Sequence, residues 1–365
     1  MEILKNLHYN SVVFNLKMLK KIILISGSVL IGIILIIVGF LAWASARNMS
    51  DEDYQKGILL TFDQPLPEAK TDIVLATWNI GFGYDFSVNG ISFADKEHYE
   101  QNMNKIKNLL QQINPDILAV QEADINSARS YEDNQPLLLS EAMNANMSAF
   151  LPTWSKNYIL YPSVFNPSKQ YGKINSGSAL ISKYSILEQT RYDLNQPKSM
   201  GIKNIQYMTR AIQKIKLNIN GKELIILNLH LDSSDKENRK EQAEKVVEIF
   251  RELDKGGAAV IITGDFNCPP SYASQLSDFP IYMQSDFIGD GTYNVFFNEP
   301  GLSSVISKDE YLTNEKDFLT YPSGRELMQI DHVFYNGKIK KISAEVIKGE
   351  NGSDHNPVVF TFRFN

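Results

Sequence analysis

The stretch Ala258-Ala259-Val260-Ile261-Ile262-Thr263-Gly264-Asp265-Phe266-Asn267 decides how this chain is read. Its apolar opening, with Val260, Ile261 and Ile262 β-branched, predicts a buried strand over residues 258–263. Gly264 lets another backbone approach closely. Strand alternation then sends Asp265 and Asn267 to one face and Phe266 to the other. A carboxylate beside an amide suits an Asp that activates water and an Asn that hydrogen-bonds a phosphate oxygen. The bland reading of the same residues is an Asx turn.

Four other short segments share this character: Thr77-Trp78-Asn79, Val120-Gln121-Glu122, Asn228-Leu229-His230-Leu231 and Ser353-Asp354-His355-Asn356-Pro357. The first three follow apolar runs at Ile73–Ala76, Ile117–Val120 and Leu224–Leu227. Polar groups at the ends of several buried strands point to one pocket. Glu122 is costly at an apolar strand end unless it is paired, which makes it a candidate metal ligand. Asn79 could bind the metal or orient that carboxylate. Ile330-Asp331-His332 supplies another carboxylate, so Asp331 is expected to hold and polarise His355 against the phosphate. His332 alternates to the other side and is expected to be structural. His230, at a strand end, suits phosphate contact or proton transfer. Arg210, at the start of another strand, is a candidate phosphate clamp.

With 365 residues, 43% of them apolar, the chain can bury one large core or two modest ones. It has five histidines, none in an H-x-H or H-E-x-x-H cluster, and one cysteine, Cys268. A tetrahedral N/S zinc site is thereby disfavoured, and an intrachain disulfide is impossible. Carboxylate and amide oxygens favour Mg²⁺ or Mn²⁺. There is no P-loop and no Gly-x-Ser-x-Gly elbow. The net charge is −6, and residues 1–47 are themselves basic, so the remainder is more acidic than the whole. That argues against tight nonspecific DNA binding.

Residues 22–44 carry no charge and as a helix would span roughly 34 Å, enough to cross a bilayer. Lys17, Lys20 and Lys21 precede the run, so residues 1–21 read as a cytoplasmic basic leader with the bulk of the chain outside. A cleaved signal peptide with secretion is the rival; the length of the run favours an uncleaved single-pass anchor in the cell membrane. Residues 45–70 read as a tether and 71–365 as one domain. Helices are expected at 97–113, 135–149 and 235–253. Strands are expected at 73–77, 116–121, 178–181, 211–219, 222–229, 330–335, 342–347 and 358–364, with Asn220-Gly221 as a hairpin turn. Residues 271–326 are hard to read. Alternating elements followed by successive strands predict layered α/β with two packed sheets.

Taken together the motifs resemble the exonuclease–endonuclease–phosphatase superfamily, which includes deoxyribonuclease I, exonuclease III, inositol-polyphosphate 5-phosphatases and neutral sphingomyelinases. The resemblance covers residues 71–365 and also takes in Asn175-Ser176-Gly177-Ser178-Ala179 and Arg239 with Gln242-Ala243. It implies a four-layer α/β/β/α sandwich and Mg²⁺-dependent phosphoester hydrolysis. By position, Glu122 would bind the metal with Asn79, and Asp354 would lie beside it. Asp265 would handle the attacking water. Asn267, His230, Arg210 and Asn175 would face the phosphate, and Asp331 would support His355. Which group is the base stays open. His230 stands where the apurinic endonuclease branch has tyrosine, and the Asp-Arg pair of inositol phosphatases is missing at Asp331-His332. The expected partners are a phosphoester substrate, in nucleic acid or a phospholipid headgroup, and the bilayer; no protein partner is expected. Loops 81–95 and 271–326 would set specificity. The alternative is a catalytically silent surface domain that binds a ligand.

Overall fold

The computed structural model describes residues 2–85, 95–197, 205–274 and 287–365, with side chains from residue 17 onward. The chain divides into two units between Ala46 and Arg47. The first is a single helix, α1 (Glu2–Ser45). Its segment Lys17–Ser45 contains an 18-residue window of mean hydropathy 2.9, and is long and apolar enough to cross a membrane or to act as a signal sequence.

The second unit holds two sheets. Its strands are β1 (Ile58–Thr61), β2 (Ile73–Asn79), β3 (Ile117–Asp124), β4 (Met147–Pro162), β5 (Gln170–Ser182), β6 (Ser185–Asp193), β7 (Ala211–Ile219), β8 (Lys222–His230), β9 (Ala259–Asp265), β10 (Leu302–Ser304), β11 (Asp331–Asn336), β12 (Ile339–Val346) and β13 (Val358–Phe364). The first sheet runs β1-β4-β5-β3-β2-β13-β12 and the second β10-β11-β9-β8-β7-β6. Both are mixed: β2 and β3 are parallel, as are β8 and β9, and their other neighbours are antiparallel.

Alternation along each strand builds three apolar layers. Ile73 and Leu75 of β2 face Leu224, Ile226 and Ile261 of the opposite sheet. Ala76 and Trp78 turn outward beneath helices α3 (Lys96–Ile113) and α4 (Gln135–Met143), against Met103, Ile106 and Leu139. On the other side Leu227, Val260 and Ile262 pack under Val246, Val247 and Phe250 of α5 (Lys236–Lys255). Helix, sheet, sheet and helix give the four-layer sandwich that the family resemblance implies. The sheets are also bonded to each other. Gln121 Nε2 donates to Asn228 Oδ1 at 2.7 Å, and Asn228 Nδ2 donates to Gln213 Oε1, Val120 O and Ala179 O.

Two expectations need correction. The helix expected over 135–149 stops at Met143, where Asn144 takes a left-handed cap (φ 50°), and the chain re-enters a sheet at Met147. The stretch read as a tether contains a short helix, α2 (Asp51–Lys56), and β1, which pairs with β4 from Ile58↔Phe150 to Thr61↔Met147. Asn48 Nδ2 donates to Ile174 O, and Met49 N to Ser155 Oγ, so the chain is fixed to the domain from that point. Within 271–326 lie α6 (Thr292–Phe297), β10 and α7 (Lys308–Thr313). Most of loop 81–95 and part of 271–326 lie outside the described residues.

Candidate active site

Strand register assembles the centre of the site. In the second sheet, His230 of β8 lies opposite Asp265 of β9, and Asp265 lies opposite Asp331 of β11. Three functional residues therefore share one row at the end of the sheet. Gly264, just before it, allows the close parallel contact: a Cβ there would sit 2.0 Å from Leu229 O.

Asp265 is buried, and its two oxygens are divided. Oδ1 accepts from the Asn267 backbone N at 2.8 Å, which is the Asx turn of the bland reading. Oδ2 accepts from Asn79 Nδ2 at 2.9 Å and faces His230 Nε2 at 3.5 Å and His355 Nε2 at 3.8 Å. The turn and the functional orientation coexist, because the turn fixes which oxygen points inward. Burial, opposed by His355 and reinforced by Asp331, pushes the Asp265 carboxyl up to about 6.

Asp331 Oδ2 accepts from His355 Nδ1 at 2.8 Å, the pair expected from sequence. Burial alone would lower the imidazole; Asp331 first, then Asp354 and Asp265, outweigh it and push His355 up to about 10. His355 is positioned on all sides. Trp78 Nε1 donates to its carbonyl at 2.9 Å, its backbone N donates to Ser353 Oγ, and the Tyr321 ring lies 4.8 Å from the imidazole. Trp78 and Tyr321 carry no sequence signal of this supporting role. Trp78 stands inside a quoted motif, whereas Tyr321 lies in the stretch without periodicity.

Glu122 reaches the pocket through a β-bulge. Pairing of β3 with β5 jumps from Val120 to Ala123, and Glu122 takes φ 54°. A bulge re-aims a side chain, and a non-glycine residue there holds a strained backbone. Its Oε1 lies 3.8 Å from His230 Nε2 and accepts from Asn79 Nδ2 at 3.3 Å. Asn79 thus presents its amide nitrogen to two carboxylates, while its oxygen accepts from Gly81 N at 2.9 Å.

Asp354 is buried close to Gly81, where a Cβ would come within 2.8 Å of its Oδ1. Burial, opposed by His355 and reinforced by Glu122 and Asp265, pushes Asp354 up to about 7. His230 is lowered well below its ordinary value by burial, Arg210 and His355, so it is neutral. Arg210 and Asn175 are buried, and Arg210 Nε and Asn175 Oδ1 have no hydrogen-bond partner among the described residues. Asn267 Nδ2 donates to Leu231 O at 3.0 Å. His332 is structural in its contacts, with Nε2 bonded to Cys268 O at 2.8 Å and the ring 5.3 Å from that of Phe266.

Asp265, Asp331 and His355 hold ligand atoms within 4.8 Å of one another, a group able to receive a metal ion. The Asp331–His355 hydrogen bond already commits one atom of each. Carboxylates crowd here, and among the described residues no lysine bonds or pairs with them and Asp331 Oδ1 is buried without a partner. A divalent cation that prefers oxygen fits this donor set.

Residues 76–355 match the Endonuclease/Exonuclease/phosphatase family. The chain belongs to that family. Its members are hydrolases that cleave phosphoester bonds with divalent metals, and this protein is an enzyme of that type. Solved family structures share the fold. An endonuclease/exonuclease/phosphatase from Bacteroides vulgatus is 16% identical, with TM-score 0.54, over 81% of this chain and 100% of that one. The mannosyl-6-phosphatase of Bacteroides thetaiotaomicron VPI-5482 is 19% identical, with TM-score 0.52, over 80% and 100%. The human Nocturnin catalytic domain, bound to sulfate, is 17% identical, with TM-score 0.53, over 84% and 97%. Among curated proteins none matches the chain significantly.

Proposed function

We propose that this family member is a Mg²⁺- or Mn²⁺-dependent phosphodiesterase, acting on nucleic acid or a phospholipid headgroup, with α1 as a membrane anchor and the catalytic unit outside. The supporting observation is the convergence on Asp265 Oδ2 of Asn79, His230 and His355, with Asp331 behind His355. Glu122 and Asp354 would hold the ion, with Asn79 orienting Glu122. The ion would supply Lewis acidity at the phosphoryl group.

The remaining chemistry belongs to the chain's own groups. Asp265, with a carboxyl near 6, is ionised at neutral pH and basic enough to take a proton from an attacking water. His355, held as imidazolium by Asp331, offers Nε2–H to a developing phosphoryl oxyanion. Neutral His230 stands beside both carboxylates, where it can donate one hydrogen bond without bringing charge. Arg210 Nε and Asn175 supply polar groups still in need of partners, which a phosphate oxygen and a substrate hydroxyl would provide. Anchoring rests on the uncharged run of α1 and its preceding lysines.

The test uses the full chain in detergent with supercoiled DNA, single-stranded RNA, sphingomyelin, phosphatidylinositol phosphates and a chromogenic diester. Each is run with Mg²⁺, with chelator and with His355→Ala. Turnover that needs both metal and His355 is expected. Inactivity on every substrate, or activity indifferent to chelator, would refute the assignment.

A further inference from the structure

The turn that follows β3 makes contacts that the site chemistry leaves unexplained. Asp124, two residues beyond Glu122, is fully buried and gripped by Arg129, with Nε to Oδ2 at 2.8 Å and Nη2 to Oδ1 at 2.9 Å. Nη2 also donates to Ser176 Oγ at 3.1 Å, and Ser176 is the register partner of Asp124 on β5. Arg129 therefore fastens the strand just past the Glu122 bulge. The guanidinium lies 3.4 Å from the centre of the Phe82 ring, in the turn whose Gly81 N binds the Asn79 side chain. From the same turn, Ser127 Oγ donates to Asn175 O at 3.0 Å and accepts from Asn175 N at 2.9 Å. A buried ion pair is a poor source of net stability, since apolar residues of equal volume often do as well. Its directional fork is what an apolar pair could not supply.

We propose that Arg129, through Asp124, Ser176 and the Phe82 turn, is a positioning residue that sets the Glu122 carboxylate for the metal, and that Ser127 sets Asn175 for the substrate. The inference rests on the site assignments above. It predicts a division of effects: Arg129 governs metal affinity and Ser127 governs substrate KM.

The experiment measures Mn²⁺ binding to the full chain in detergent by electron paramagnetic resonance, alongside Mg²⁺ titration of diester hydrolysis. Arg129→Lys keeps the charge and loses the fork. It is expected to weaken Mn²⁺ binding by about 10-fold or more, with part of kcat recovered at high Mg²⁺. Ser127→Ala is expected to raise KM several-fold with Mn²⁺ affinity unchanged. If Arg129→Lys does not fold, Ser176→Ala carries the metal test. Wild-type Mn²⁺ affinity in a folded Arg129→Lys or Ser176→Ala protein, or loss of activity only in proportion to unfolded protein, would overturn the proposal. A wild-type chain that neither binds Mn²⁺ nor hydrolyses any diester would overturn the site assignment instead.

Discussion

At the scale of single residues, the pairing of Asp331 with His355 carries the sharpest expectation. Asn at 331 would place an amide against Nδ1 and drive the ring proton to the wrong nitrogen or lose the charge. Asp331→Asn should lower kcat by about 10²–10⁴-fold with little change in KM, read by steady-state kinetics. His332, which follows Asp331 on β11, bears on stability. Burial, against a bond to Cys268 O and the nearby Asp331 charge, lowers His332 to about 4 from the usual 6.5. Above 6.5 neither state is protonated and the group contributes nothing. Between 6.5 and about 4 the unfolded chain takes up a proton that the folded chain refuses, so stability falls with pH by roughly 3 kcal/mol. Denaturant midpoints at about pH 7.5 and 4.5 should therefore diverge more in wild type than in His332→Gln; equal divergence would show that other groups control the acid limb.

The elements explain what the sequence made legible and what it hid. The strands that carry Asn79, Glu122, His230 and Asp265 were readable because their apolar runs stop at polar groups, a pattern that burial imposes. The β4 strand was hidden for physical reasons. Pro152 and Pro162 argue against a strand, and β4 accommodates them at register shifts, after Pro152 and at Pro162. Ala145 and Ala149 also extend the apparent helix beyond the Asn144 cap. The bulge at Glu122 leaves no mark in the sequence, since its left-handed backbone falls on a residue that rarely adopts one. Two glycines separate packing from backbone strain at this scale. Gly264→Ala meets Leu229 O at 2.0 Å with φ 133° and should block folding or cost about 3 kcal/mol or more. Gly221→Ala, in the hairpin turn with φ 86° and open space around it, should cost only about 1 kcal/mol. Thermal unfolding of both variants checks the ordering.

For the whole molecule, the hydrogen bonds between the sheets matter as much as the apolar layer between them. Asn228→Ala would strand Gln121, Gln213 and two backbone carbonyls in the core and should destabilise by roughly 2–4 kcal/mol, measured by chemical denaturation. Membrane residence is separately testable. An uncleaved anchor predicts that the chain stays with membranes after alkaline extraction and keeps its full 41.4 kDa mass; a shorter soluble form would mean that α1 is a cleaved signal. Cys268 has a practical consequence. It is the chain's one thiol, fully buried, and burial pushes it far above the usual thiol range, so its nucleophilic form is suppressed. Alkylating dyes and spin labels should pass it by. A cysteine introduced at any chosen surface position then becomes a unique attachment point, and distances across the cleft can be followed in an otherwise native molecule.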